Sequence, residues 1–278
     1  MIYPWPDGKK MACIVSLDFD GATPYLWNTR QNPTGALGEL ELRRFGPRQG
    51  IWRLLDLFKS LDLRVSVYIP GAIVESYPDA VKAIAENGHE IGLHGFMHEH
   101  IRDLSDVEFA VSMEKSMSAM AKVGIDGPFG FRSPAWDLTE SALMVLERFG
   151  VSYDSSLMGF DQPYWISKMV ELPVQWPLDD AIFYRYVPGS MWPPVRAEDV
   201  VGSWRLELEG AKRYQSLFML TMHPWLSGRS GRLVALEGLL KDYRDDPEIW
   251  WTTSDELAHY HRQRFPEGPF HDIRLGSP

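Results

Sequence analysis

Asp18 and Asp20 sit two residues apart at the end of an apolar run, residues 12–17. If the extended conformation continues through them, both carboxylates point to the same side. Anions that close repel each other unless a cation sits beside one of them. His94 and His98 are four apart, which would place both imidazoles on one face of a helical segment. One aspartate and two histidines make a donor set suited to Zn²⁺, with Mn²⁺, Fe²⁺ or Co²⁺ as alternatives and with coordination positions left open. Arg132, Asp154 and His223 each follow another short apolar run. Each has a plain structural alternative: a surface ion pair for Arg132, a cap on the turn at Ser155 for Asp154, a packed strand-end histidine for His223. Their joint placement at strand ends is less readily explained by those alternatives.

The elements that must position these groups alternate regularly. Strands are expected at residues 12–17, 65–69, 90–93, 129–131, 151–153, 169–174, 217–222 and 249–252. Helices are expected at 51–61, 78–87, 139–149, 198–215, 232–243 and 254–263. A further long helix opens at a Ser105/Glu108 capping box, with Val107, Ala110, Val111, Met117 and Ala121 as its core-facing stripe. No linker or repeat interrupts the alternation, so one α/β domain over residues 1–278 with a mostly parallel sheet is the reading. Seven to eight units favour a distorted (β/α) barrel. A doubly wound sheet is the competing layout, but no glycine-rich nucleotide loop follows the first strand. The candidate groups all fall at strand C-terminal ends, the edge where such folds assemble their sites. Residues 22–50 lack clear periodicity and are expected to form a lid or subunit contact. Their Arg43, Arg44 and Arg48 could recognise an acidic substrate or a neighbouring subunit. His259 and His261 are expected at the surface.

The composition is 45% hydrophobic and 24% charged, that of a folded protein able to bury a core. Lys and Arg number 28 against 38 Asp and Glu, a net charge of −10 without cationic runs, which argues against nucleic-acid or anionic-membrane binding. Cys13 is the only cysteine, so no internal disulfide can form. The opening MIYPWPDGKKM is broken by prolines where a signal peptide needs an apolar run, and no stretch approaches the ~18 apolar residues of a membrane span. A soluble, cytoplasmic protein is expected.

The segments LDFDG (17–21), HGFMH (94–98), FRSPAW (131–136), YDSS (153–156) and LTMHP (220–224) occur in that order. Together they resemble the polysaccharide deacetylase family, also called NodB-homology or carbohydrate esterase 4, over residues 12–224, with 250–257 similar to its closing segment. The resemblance implies a NodB-like distorted barrel and metal-assisted hydrolysis of an amide. It implies Asp18 as general base, Asp20, His94 and His98 as metal ligands, His223 as general acid, and Arg132 as the residue holding the base. Backbone N–H groups around Ala135 and Trp136 become candidate donors to the oxyanion. Trp136 and Trp225, with Trp27, Trp165, Trp176 and Trp192, are candidates to stack on a sugar face or shape a pocket. Phe19 between the aspartates, Gly95 after the first histidine and the LPVQWPLDD stretch (172–180) are similar to an intracellular branch. That branch holds peptidoglycan deacetylase-like proteins, cyclic imide hydrolases and allantoinase-type ureide hydrolases. The expected function is therefore a metal-dependent N-deacetylase of amino sugars acting as a homo-oligomer. The alternatives are a cyclic imide or ureide hydrolase, or a non-catalytic binding protein on the same barrel.

Overall fold

The computed structural model describes residues 3–6, 8–186, 193–266 and 272–273. Strand β1 (Met11–Asp18) is buried along its whole length, as a run of strand formers with both faces covered must be. The strands that follow are β2 (Ser66–Ile69), β3 (Glu90–Leu93), β4 (Tyr153–Asp154), β5 (Tyr164–Ile166), β6 (Met169–Glu171), β7 (Leu217–Met222) and β8 (Ile249–Trp251).

On one side β1 pairs in parallel with β7, from Ala12 opposite Leu217 to Leu17 opposite Met222. On the other side two strands share it. β8 takes Met11–Cys13 and β2 takes Ser16–Asp18, both in parallel. The ladder continues from β2 to β3, then through single bridges from Leu93 to Phe131 and from Phe131 to Asp154, and from β4 to β6. A bridge between Asp179 and Thr221 returns to β7. The result is a distorted (β/α) barrel whose wall is reduced to isolated bridges at Phe131 and Asp179. The antiparallel pairing of β5 with β6 was not expected from sequence.

Helices α1 (Thr23–Asn28), α2 (Leu37–Phe45) and α3 (Ile51–Ser60) precede β2, and α4 (Gly71–Ser76) and α5 (Pro78–Glu86) precede β3. Then come α6 (Asp106–Lys122), α7 (Glu140–Arg148), α8 (Ala181–Tyr184), α9 (Ala197–Tyr214), α10 (Pro224–Ser227), α11 (Ser230–Tyr243) and α12 (Ser254–Arg264). Residues 22–50 are thus mostly helical, with α2 running through a π turn at Gly46–Gly50 into α3. Among the described residues no helix is long and apolar enough to cross a membrane.

Two sequence expectations are corrected. The capping box at Ser105 and Glu108 is present, but Val107 and Val111 of α6 are 73% and 41% exposed. The buried face is Phe109, Ser112, Met113, Ser116, Ala119 and Met120. An apolar-only stripe missed it because two of its members are serines, satisfied inside by hydrogen bonds to the loop after β3. His261, expected at the surface, is fully buried and hydrogen-bonds the Tyr3 hydroxyl at 2.9 Å.

The π turn packs against α10, the short helix directly after His223. A Cβ on Gly50 would lie 2.0 Å from the Pro224 carbonyl oxygen, so only glycine permits this approach. Gly50→Ala is expected to lower stability by about 1–3 kcal/mol, the usual cost of overpacking. Urea unfolding checks it, and an unchanged midpoint would contradict the close packing described.

Candidate active site

The amide of Phe19 donates to Tyr68 O, which carries the β1 ladder one residue past Asp18. Phe19 is therefore turned into the core, and Asp18 and Asp20 face the same cavity, as the two-residue spacing predicts. The two histidines reach it differently from the sequence expectation. No helix begins directly after β3; His94 and His98 lie on a loop with left-handed backbone at Gly95 (φ +68) and His98 (φ 59). Ser116 Oγ donates to Gly95 O at 2.8 Å, and the Phe96 amide donates to Glu99 Oε2 and Ser112 Oγ. The inward serines of α6 thus fasten the loop that carries both imidazoles.

His94 Nδ1 lies 2.7 Å from the Arg132 carbonyl oxygen, which can only accept, so Nδ1 carries the proton. Its Nε2 then faces Asp20 Oδ1 at 3.4 Å, and His98 Nε2 faces Asp20 Oδ2 at 3.6 Å. Asp20 Oδ1 is buried without a hydrogen-bond partner. Lone pairs that converge in this way call for a cation, and the three ligand atoms lie within 4.8 Å of one another. One divalent ion would satisfy all three, whereas a proton on His94 would satisfy one. Burial pushes the Asp20 carboxyl up, but His98, His94 and His223 outweigh it and hold it below the usual carboxylate range. Burial also pulls His98 down to about 4, which keeps that imidazole neutral and available as a ligand.

Arg132 is fully buried, and each of its donor nitrogens is engaged. Nη1 donates to Asp18 Oδ1 and Ser16 Oγ, both at 2.9 Å, and to Thr221 Oγ1; Nε donates to Ser155 O, and Nη2 to Ser155 Oγ. The guanidinium lies 4.0 Å over the Tyr68 ring. Asp18 is thereby fixed with Oδ2 turned toward His94 Nε2, 4.0 Å away.

His223 follows β7, and its Nε2 stands 3.5 Å from Asp20 Oδ2. Its Nδ1 donates to Asp180 Oδ1 at 2.6 Å. Asp180 Oδ2 accepts from the His223 amide and from Ser227 Oγ. Burial alone would deprotonate His223; Asp180, aided by Asp179 and Asp20, outweighs it and raises its pKa well above the ordinary value. Asp179, Asp180 and His223 also have the makings of a cation cluster, but Asp180 is saturated with donors, so they read as a proton-holding unit. Sequence reasoning did not assign Asp179 or Asp180 a role. The Asp-Asp pair within residues 172–180 was the available signal, and the distance of 43 residues to His223 concealed the partnership.

The cavity has a volume of about 210 Å³, and Trp136, Trp176 and Trp225 line it. The Trp136 and Trp176 rings stack with centroids 4.5 Å apart. Trp27 stands under the Arg30 guanidinium on α1, and Trp165 lies on β5 near Arg262; neither lines the cavity. Trp192 falls outside the described residues. Ala135 and Trp136 are consecutive left-handed residues (φ 56 and 52), a strained turn that aims both at the cavity. The Trp136 amide is committed to Ser133 O at 3.0 Å, which corrects its candidacy as a free oxyanion donor.

Asp154 follows its plain alternative, holding the turn at Ser155, and does not line the cavity. It is fully buried behind the cavity wall, bonded through Oδ1 to Ser156 Oγ and in contact with Glu171. Glu171 Oε1 accepts from the Ser156 and Leu157 amides. Burial first, and then the charge of Asp154, raise Glu171 well above the carboxylate range, so the pair shares a proton.

Residues 45–153 match the family model described as polysaccharide deacetylase. Over those residues the chain is similar to the polysaccharide deacetylases. The matched stretch contains His94, His98 and Arg132, and similarity over nearly the whole chain covers the rest of the site. A Mycobacterium smegmatis structure assigned to the polysaccharide deacetylases superposes with a TM-score of 0.90 at 29% identity, covering 95% of this chain and 94% of that one. A Helicobacter pylori peptidoglycan deacetylase is 26% identical over 80% of this chain and 87% of its own. A peptidoglycan deacetylase-like protein of Gibberella zeae is 25% identical over 90% of this chain and 86% of its own. The structure of an allantoinase shares the fold of this chain, with a TM-score of 0.82 at 18% identity over 95% of this chain and 94% of that one.

Because Glu171 has a raised folded pKa, its contribution to stability is fully present below its unfolded pKa and is lost as pH rises through the folded value. Between the unfolded and the folded value each pH unit costs about 1.4 kcal/mol. Glu171→Gln, which imitates the protonated acid, is expected to flatten the alkaline limb of the stability–pH curve. Denaturant titrations from neutral to alkaline pH would show it; parallel curves for both proteins would mean that the carboxyl is ionised in the fold.

Proposed function

We propose that this chain is a metal-dependent hydrolase that removes the acyl group from an N-acetylated amino sugar. The observation that carries this reading is the convergence of Asp20, His94 and His98 between two differently held proton carriers, Asp18 and His223. The names of the H. pylori and G. zeae relatives supply the substrate class. A divalent ion held by the three ligands, with Zn²⁺ the best match to the donor set, would polarise the amide carbonyl and lower the pKa of the attacking water.

The chain's own residues do the rest. Asp18, clamped by Arg132 through Oδ1, keeps Oδ2 toward the cation site and can accept the proton of the attacking water there. His223, kept protonated by Asp180, can deliver a proton to the departing amine. The Ala135 amide is the remaining candidate donor to the carbonyl oxygen, and the stacked Trp136 and Trp176 rings offer a flat wall to a sugar ring.

Purified protein is expected to contain about one divalent metal per chain by elemental analysis, matching one set of ligands, and His94→Ala is expected to lose it. Acetate release from N-acetylglucosamine oligomers is expected to vanish on chelation and return with Zn²⁺. Asp18→Asn is expected to retain the metal while losing about 10²–10⁴-fold in kcat. Ring opening of succinimide, hydantoin or allantoin without acetate release would replace this reading with that of a cyclic imide or ureide hydrolase.

A further inference from the structure

Of the three arginines singled out in the 22–50 segment, Arg43 is the one that lines the cavity. It projects from α2 with 5% of its surface exposed, and its guanidinium lies 4.8 Å over the Trp225 ring. Its carboxylate partner, Glu39 one turn earlier, is 3.6 Å away, and Nε is buried without a hydrogen-bond partner. Arg185, just beyond α8, lines the same cavity and is exposed. The acids that line the cavity have other partners: Asp18 has Arg132, Asp20 the histidines, and Asp179 the Ala181 amide and His223. Burial and the charge of Arg185 both act against the Arg43 cation, so an anion placed between the two would relieve both.

We propose that Arg43 and Arg185 form a subsite for a carboxylate on the substrate, so that this hydrolase acts on acidic N-acyl sugars in preference to neutral ones. The inference rests on the reading under Proposed function and names its substrate class. Guanidinium groups suit the role because they hold a carboxylate by paired, charge-assisted hydrogen bonds. The small cavity, about 210 Å³, confines that carboxylate to the sugar ring being processed.

The test compares N-acetylglucosamine with two acidic counterparts, N-acetylmuramic acid and N-acetylglucosaminuronic acid, using zinc-loaded full-length protein. At least one acid is expected to show a kcat/KM about tenfold or more above that of the neutral sugar, the range of a charge-assisted contact. Arg185→Gln and Arg43→Gln are each expected to remove most of that margin through KM while leaving the neutral sugar within about twofold. Arg185 is exposed, so its variant keeps the test valid if Arg43→Gln does not fold. Calorimetric binding of muramic acid against glucosamine gives a readout that needs no turnover. Weaker muramic acid binding in Arg185→Gln without acetate release from any substrate would uphold the subsite and count against the deacetylase reading. Equal handling of acidic and neutral sugars, or binding indifferent to both substitutions, would overturn the proposal.

Discussion

The buried pair of Arg132 and Asp18 is the interaction on which the rest of the molecule depends. Removing two charges from water costs several kcal/mol per ion, and the attraction between them compensates only where the remaining donors are also satisfied. Here they are: the guanidinium reaches Ser16 on β1, Thr221 on β7 and Ser155 after β4, and it rests on the Tyr68 ring of β2. The same backbone residue accepts the His94 ring proton through its carbonyl oxygen. One residue therefore orients the Asp18 carboxylate and sets the tautomer of the His94 imidazole. A barrel wall that shifted by a fraction of an ångström at Phe131 would disturb both.

Around this anchor, the site is held by acceptors and donors that lie behind it. Asp180 fixes His223 through two separate contacts, one to the ring and one to the amide, and Ser227 fills its second oxygen. Ser112 and Ser116 do the equivalent for the loop of His94 and His98. The left-handed turn at Ala135 and Trp136 stores backbone strain that the rigid wall sustains. Such preorganisation costs stability locally and lowers the reorganisation needed during reaction.

Much of this could be read from the chain. The strand-helix alternation and the polar residues that end each apolar run were enough to predict the parallel barrel and to bring Asp18, Asp20, His94, His98, Arg132 and His223 to one edge. What escaped has physical causes. The α6 face was misassigned because Ser112 and Ser116 are buried by hydrogen bonding rather than hydrophobicity, and periodicity counts only apolar residues. The helical geometry expected for His94 and His98 was wrong because Gly95 and a left-handed His98 permit a loop of the same reach. Asp180 and Glu171 are legible only in three dimensions, since their partners are brought by other strands. His261 is buried by packing against Tyr3, a contact between opposite ends of the described chain.

The way β1 is shared has a consequence for biosynthesis. This strand of MACIVSLD is covered on one edge by β7 and, over its first residues, by β8 on the other. During translation it emerges some two hundred residues before either partner, as the register of Ala12 with Leu217 shows. A buried, strongly apolar segment with open edges is prone to self-association while it waits. Until β7 has left the ribosome that edge of the first strand lacks its partner, and His223 cannot yet meet Asp20.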